Sequence, residues 1–268
     1  MQTPAVGNYR PTPDRLFARS AGESAHPGLW KGLIFAHPGQ IANPTTAYDI
    51  SKNHINGPIS NGSVSPEKAV IFDGSTTRIT FPSDSSFDLA SYSFACRFKT
   101  TDGSFRYVIY KGNSSNREPI AIYINTNKII VEYYHAGPNY YCGYGGWDIN
   151  DGLWHTVCLV RNAGVGVYTC VDGMRYDSGT DGGNTVTVAN QLVIGQRGNG
   201  TFKFNGSMRD MFLWDRHLPI EIARQVSAGR FPTERVKRGA VGQVGATASF
   251  PRAVRNQNGR LFNGPTVY

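Results

Sequence analysis

Aromatic residues on a glycine-rich stretch are the most suggestive chemistry in this sequence of 268 residues. Tyr133, Tyr134, Tyr140, Tyr141, Tyr144 and Trp147 are interleaved with Gly137, Gly143, Gly145 and Gly146. Rings displayed on such a loop suit stacking on sugars or anchoring a protein interface, and Tyr140, Tyr141, Tyr144 and Trp147 are the candidates. The competing use is structural, with Tyr133 or Tyr134 facing a core and the others covering a sheet.

Reactive chemistry is sparse by comparison. There is no G-x-S-x-G elbow, no H-E-x-x-H, no G-x-G-x-x-G and no Gly-Lys dipeptide for a phosphate loop. The six histidines are scattered, and His155 reads as a satisfied, half-buried imidazole. Cys96, Cys142, Cys158 and Cys170 include no C-x-x-C pair, so no zinc site is indicated. If Trp154–Arg161 and Val165–Val171 form a hairpin about Gly164, then Cys158 and Cys170 lie directly opposite each other. That spacing permits a disulfide, while buried free thiols are the default in a reducing compartment; both states stay open.

The elements that must hold these residues are short and mostly extended. Ala69–Phe72, Arg78–Phe81, Ser93–Phe98, Tyr107–Tyr110, Ile120–Ile124 and Lys128–Tyr134 read as strands, followed by Trp154–Arg161, Val165–Val171, Gln191–Gly195 and Ser207–Trp214. Asp-Gly turns at 73–74, 102–103, 151–152 and 172–173 separate several of them. Phe94, Cys96 and Phe98 alternate as a strand with one buried face does. Pro219 opens one short helix that Gly229 stops. The expected fold is all-β: an antiparallel two-sheet jelly-roll sandwich with one short helix and extended N- and C-terminal arms.

Residues 1–27 contain Pro4, Pro11, Pro13 and Pro27 without a periodic apolar face, and are expected to be an extended arm. Residues 28–231 form the expected domain. Residues 232–268 hold six of the 27 basic and one of the 19 acidic residues, so this second arm carries +5 of the net +8. The domain itself is nearly neutral, which argues against specific nucleic-acid binding. No apolar run is long enough to span a bilayer, and the N-terminus has no signal-peptide pattern, so synthesis in a cytoplasm is expected.

The order of motifs resembles the laminin-G-like, concanavalin-A-like jelly-roll family. Gly28-Leu29-Trp30-Lys31-Gly32-Leu33 is similar to its opening strand, Tyr48–Asn53 to its D-x-S-x-N loop, and Ile71–Ser75 to its F-D-G-S turn. Trp154-His155-Thr156-Val157, Leu192-Val193-Ile194-Gly195, Phe204–Asp210 and Leu218–Ile222 resemble the later strands and terminal helix. With its L-W-K-G-L opening and ragged Arg-rich tail, the chain more narrowly resembles laminin-G-like structural proteins of tailed bacteriophages.

The resemblance implies three things about function. Glucanases of this fold carry an E-x-D-x-(x)-E strand, and the glutamates here, at 23, 67, 118, 132, 221 and 234, cannot form one, so the chain is not expected to be an enzyme. No cofactor is required, but family members often hold calcium in rim loops, and Asp49, Asn53, Asp73 and Asp210 would be the ligands here; the same side chains can instead cap turns. The function expected is a virion structural protein, a capsid decoration or head/tail-associated component of a bacteriophage, a homo-oligomer or multi-copy on a particle, displaying a lectin-like sandwich; a carbohydrate-binding lectin module without structural role is the alternative. Arg235, Lys237, Arg238, Phe250, Arg252, Arg255, Arg260, Phe262 and Tyr268 would dock the arm on neighbouring virion proteins, and host-surface glycans are a further expected partner; no membrane partner is expected.

Overall fold

The computed structural model describes residues 17–112, 117–126, 128–135, 140–143, 148–181 and 190–236. The chain condenses into two antiparallel sheets face to face. The first sheet is ordered β14 (Met174–Gly179), β13 (Gly166–Val171), β12 (His155–Asn162), β7 (Tyr92–Lys99), β16 (Asn205–Trp214), β5 (Val70–Asp73) and β4 (Ser63–Val64), with β1 (Leu33–His37) also on β16. The second runs β11 (Tyr140–Gly143), β10 (Lys128–His135), β9 (Arg117–Asn125), β8 (Arg106–Lys111), β15 (Val193–Ile194), β6 (Arg78–Thr80), β3 (Gly57–Ser60) and β2 (Thr46–Ala47). Among the described residues one α-helix, α1, spans Ile220–Ser227 after Pro219. This is the jelly-roll sandwich the strand pattern implied. The Gly28–Leu33 segment departs from expectation: Pro27–Trp30 is a single 3-10 turn, and the opening strand starts only at Leu33.

Alternation decides which side chains meet between the sheets. Phe72, Phe94, Cys96, Phe98 and Leu159 from the first sheet meet Ile79, Ile109, Ile122 and Ile194 from the second. The strand Tyr92–Lys99 is nevertheless buried on both faces over most of its length. Its outer side, through Ala95, joins Cys158, Cys170, Phe212 and Trp214 beneath Ala223 and Val226 of α1. Cys158 does face Cys170 across the hairpin, and both are free thiols in this apolar layer. Burial raises the thiol pKa of Cys96 and Cys158, so both stay protonated.

Segments flanking the expected domain are part of its packing. Ala18 N–H donates to the Thr233 carbonyl at 2.8 Å and Ala25 N–H to that of Glu234 at 2.7 Å. Ser24 Oγ and Trp30 Nε1 both donate to the Pro232 carbonyl, at 2.6 and 2.8 Å. Phe17 and Ala18 are buried, and Arg235 bridges Ser24 through its backbone. The boundaries drawn at 27/28 and 231/232 therefore fall inside a clasp formed by residues 17–30 and 232–235. Proline-rich sequence did not show it because these segments are held by backbone carbonyls, which carry no side-chain signature.

Two local devices fix the frame. His155 sits between two carboxylates, Nδ1 at 2.8 Å from Asp172 and Nε2 at 3.1 Å from Asp151. The hydrogen bond with Asp172, reinforced by Asp151, outweighs the opposing effect of burial and raises the imidazole above its ordinary pKa. The second device is Gly195, which leaves β15 with φ +92° directly over the ring of Phe72; a Cβ there would lie 2.3 Å from a ring carbon. Its N–H donates to the Val108 carbonyl at 3.0 Å, and its carbonyl accepts from Phe204 N–H at 2.8 Å.

Two predictions follow from these contacts. Gly195→Ala combines a left-handed backbone with a ring collision, and is expected to cost about 2–5 kcal/mol, or about 5–15 °C in Tm at this size. Gly200→Ala has the same sign of φ (+82°) but open space around it, and should cost only about 1 kcal/mol; equal losses in paired thermal melts would contradict the collision. A raised folded pKa makes the His155 contribution complete below about pH 6.5 and lost as pH climbs through the folded value. The Tm gap between the wild type and His155→Gln should therefore narrow from pH 6 to pH 9, and a gap that widens would overturn the assignment.

Candidate functional site

The residues expected to bind calcium are not gathered into one site. Asp49 accepts from Ala36 N–H (2.9 Å), Ser51 N–H (2.8 Å), Ser51 Oγ (2.8 Å) and Ile55 N–H (2.9 Å), tying β1 to the loop that follows. Asn53 Nδ2 donates to the Ile34 carbonyl at 3.3 Å. Asp73 accepts from the N–H groups of Ser75, Thr76 and Thr77 and from Thr76 Oγ1, and these bonds hold its carboxyl well below the usual range. Asp210 takes Gly39 N–H at 2.9 Å and lies 3.4 Å from Arg209 Nε. Each side chain closes a turn or a bulge, the capping use left open above. Among the described residues no three His, Cys, Asp or Glu side chains are placed to share an ion.

The aromatic candidates divide. Tyr144 and Trp147 lie outside the described residues, as do the side chains of Tyr140 and Tyr141, whose backbone forms β11 at one edge of the second sheet. Of the arm residues, Arg235 lies in the clasp, while Lys237, Arg238, Phe250, Arg252, Arg255, Arg260, Phe262 and Tyr268 are outside the described residues.

A site that the sequence reading missed lies on the outer face of the same sheet. Strand register sets its rows. Ile79, Ile194 and Ile109 stand abreast across β6, β15 and β8 and point into the core. One residue along, Thr80, Val193 and Tyr110 stand abreast and face outward, with Arg78 two residues from Thr80 on the same side. A bulge in β8 puts both Val108 and Ile109 in the core, which leaves Tyr107 and Tyr110 together on the outer face. Phe105, Tyr107, Tyr110 and Tyr123 form an aromatic cluster there, with Arg197 lying 5.8 Å and 5.9 Å over the Tyr107 and Tyr110 rings.

This cluster is mostly buried and acts as the foundation of a loop. Leaving Gly195, the chain turns at residues 197–201: Arg197 N–H donates to the Thr201 carbonyl (3.0 Å) and Gly200 N–H to that of Arg197 (2.9 Å). Asn199 Oδ1 accepts from Thr201 N–H (3.1 Å) and Thr201 Oγ1 (2.6 Å). Gly198 rests on Tyr110, where a Cβ would come within 2.9 Å of the ring. Next to it Phe202 is exposed and held at φ +52°, an uncommon conformation for a bulky residue.

Between this loop and β6 lies a cleft of about 340 Å³, lined by Arg78, Thr80, Gln191, Val193, Gln196 and residues 198–200. Its described lining is polar and contains no carboxylate. Gln196 belongs to this lining: it is 5% exposed, and its Oε1 is buried without a hydrogen-bond partner. Leaving such an acceptor unmade costs about 1–3 kcal/mol. The cleft thus offers amides, a hydroxyl and a guanidinium on a rigid base, a set that recognises polyhydroxylated ligands and lacks an acid–base pair.

Comparisons with known proteins agree with the fold. Residues 73–221 match the family model described as the concanavalin A-like lectin/glucanases superfamily. Among solved structures, the receptor-binding domain of botulinum neurotoxin C/D mosaic serotype aligns at a TM-score of 0.58 and 13% identity, over 74% of this chain and 51% of that one. The binding domain of paraclostridial mosquitocidal protein 1 aligns at 0.57 and 10%, over 74% and 52%. Domain 4 of an extracellular arabinanase from Geobacillus stearothermophilus, solved with arabinotriose, aligns at 0.55 and 15%, over 73% and 98%. The chain thus spans about half the length of the toxin domains it matches, and nearly all of the arabinanase domain. No curated protein sequence matches it. The family match covers more than half of the chain and includes eleven of the described strands and the start of α1; the protein belongs to the concanavalin A-like lectin/glucanase superfamily.

Proposed function

We propose that this protein is a non-catalytic glycan-binding jelly-roll module whose sugar site is the cleft between β6 and the 196–200 loop. The unpartnered carboxamide oxygen of Gln196 carries the reading. A buried, unpartnered acceptor on a residue of the lining is relieved when a hydroxyl reaches it, and sugars supply hydroxyls in fixed array. Exposed Phe202 beside the loop offers a ring face for the apolar side of a sugar. Retaining or inverting glycoside hydrolysis needs two flanking carboxyl groups, and the described lining supplies none, which favours binding over turnover. The arabinanase domain was solved with a bound arabino-oligosaccharide, a use of the same fold consistent with this reading.

A second role is compatible with the first. The +5 charge of residues 232–268 supports a virion structural protein that docks through this arm while the sandwich is displayed. Deleting residues 237–268 is then expected to leave the melt of the sandwich unchanged and to remove the protein from purified particles; retention at full occupancy would exclude arm docking.

The glycan reading is tested by probing an array with the labelled full-length protein. Binding to a defined glycan class is expected, and Gln196→Ala and Asn199→Ala should each weaken it about fivefold or more, the loss of about one hydrogen bond, without a matching fall in Tm. Absence of binding to any glycan, or binding indifferent to both substitutions, would overturn the site.

A further inference from the structure

Resting on the glycan-binding reading, we infer that the cleft is selective for anionic sugars, with a carboxylate or sulfate group of the glycan held by Arg78. Four observations support it. Arg78 lines the cleft from the outer face of β6, two residues from Thr80, and its position is fixed by pairing with Ser60 on β3. It has no carboxylate partner among the described residues, whereas several cations elsewhere on the sandwich do: Lys111 pairs with Asp88 at 2.7 Å, Arg161 with Asp181 at 2.6 Å, Arg106 with Asp102 at 2.9 Å and Lys99 with Glu67 at 3.1 Å. No carboxylate stands elsewhere in the described lining to balance its charge. Finally, the loop opposite is anchored by a second guanidinium, that of Arg197 over Tyr107 and Tyr110.

The geometry distributes roles within the cleft. A half-buried guanidinium presents a planar fork of N–H donors, which matches two oxygens of a carboxylate or sulfate at once. Thr80 Oγ and the Asn199 carboxamide nitrogen, the latter without a partner among the described residues, stand on either side as further donors. Gln196 Oε1, buried and unpartnered, is the acceptor assigned to a ring hydroxyl. One acidic substituent and one hydroxyl are thereby read together, a pattern that a neutral oligosaccharide satisfies only in part. Partial removal of water from a guanidinium favours an anion over a neutral acceptor, because the unpaired charge gains most from being neutralised.

The test is an array of matched glycans, neutral, sialylated, sulfated and uronate-containing on common cores, probed with the full-length protein. Wild type is expected to bind acidic members about tenfold or more tightly than their neutral counterparts, the difference shrinking as salt rises. Sialylated and uronate glycans report the carboxylate and sulfated ones the sulfate. Arg78→Gln should abolish that preference, bringing the acidic members down to the level of their neutral counterparts, while leaving the Tm in place. Arg224→Gln, an exposed arginine of α1 removed from the cleft lining, serves as the charge-matched control and should leave the preference intact. If neutral and acidic members bind equally, anion selectivity fails while glycan binding stands. If the preference persists in Arg78→Gln, or falls equally in the Arg224→Gln control, it arises from diffuse charge and Arg78 is not its source. If nothing on the array binds, the glycan-binding reading itself fails.

Discussion

The contact between Gly195 and the ring of Phe72 sets the geometry on which the outer face depends. It lies where β15 ends against a residue of the opposite sheet, and no side chain fits between them. With φ at +92° the backbone turns out of the core there, and its N–H and carbonyl are taken up by Val108 and Phe204. The polar segment that follows is carried onto the outer face and pressed against Tyr110 by Gly198. Two glycines thus convert a buried strand end into one wall of a surface cleft, while β6, held in register beside β15, provides the other.

The two sheets differ in what covers them. The outer side of the first is closed by α1 and by the clasp of residues 17–30 with 232–235, through Leu29, Trp214, Val226 and Phe231. The outer side of the second carries the aromatic cluster and, beside it, the cleft. Burial on both sides matches the run Tyr92–Cys96 of β7, in which only Ser93 is polar, and keeps the Cys158 thiol protonated. It also separates the frame from the site: pairs such as Arg161–Asp181 and the Asp151–His155–Asp172 set are closed on themselves, whereas Arg78 is left to face the cleft.

Much of the fold was legible because strand signals are local. All ten segments read from alternation and β-branching are strands, and the register placing Cys158 opposite Cys170 followed from a single turn at Gly164. Two-residue strands such as Thr46–Ala47 and Ser63–Val64 were not, since so short a run has no period to detect. Asp49, Asp73 and Asp210 drew attention as calcium ligands or turn caps, and the partners they have here include backbone N–H groups that sequence does not display. The cleft was invisible for a different reason. Arg78 and Gln196 are separated by more than a hundred residues, and only the pairing of β6 with β15 brings them to one face. The hint was the run Gly195-Gln-Arg-Gly-Asn-Gly200, a polar turn directly after an apolar strand, though nothing in it named its companion.

The central claim is one of place: a sugar sits between β6 and the 196–200 loop, over Gln196. A crystal structure of the full-length protein soaked with a sialylated oligosaccharide tests it most directly. The account predicts sugar density in the cleft, with a hydroxyl within hydrogen-bond distance of Gln196 Oε1 and the carboxylate against Arg78. Density confined to the β10–β11 edge, or an empty cleft beside a sugar bound elsewhere, would contradict it.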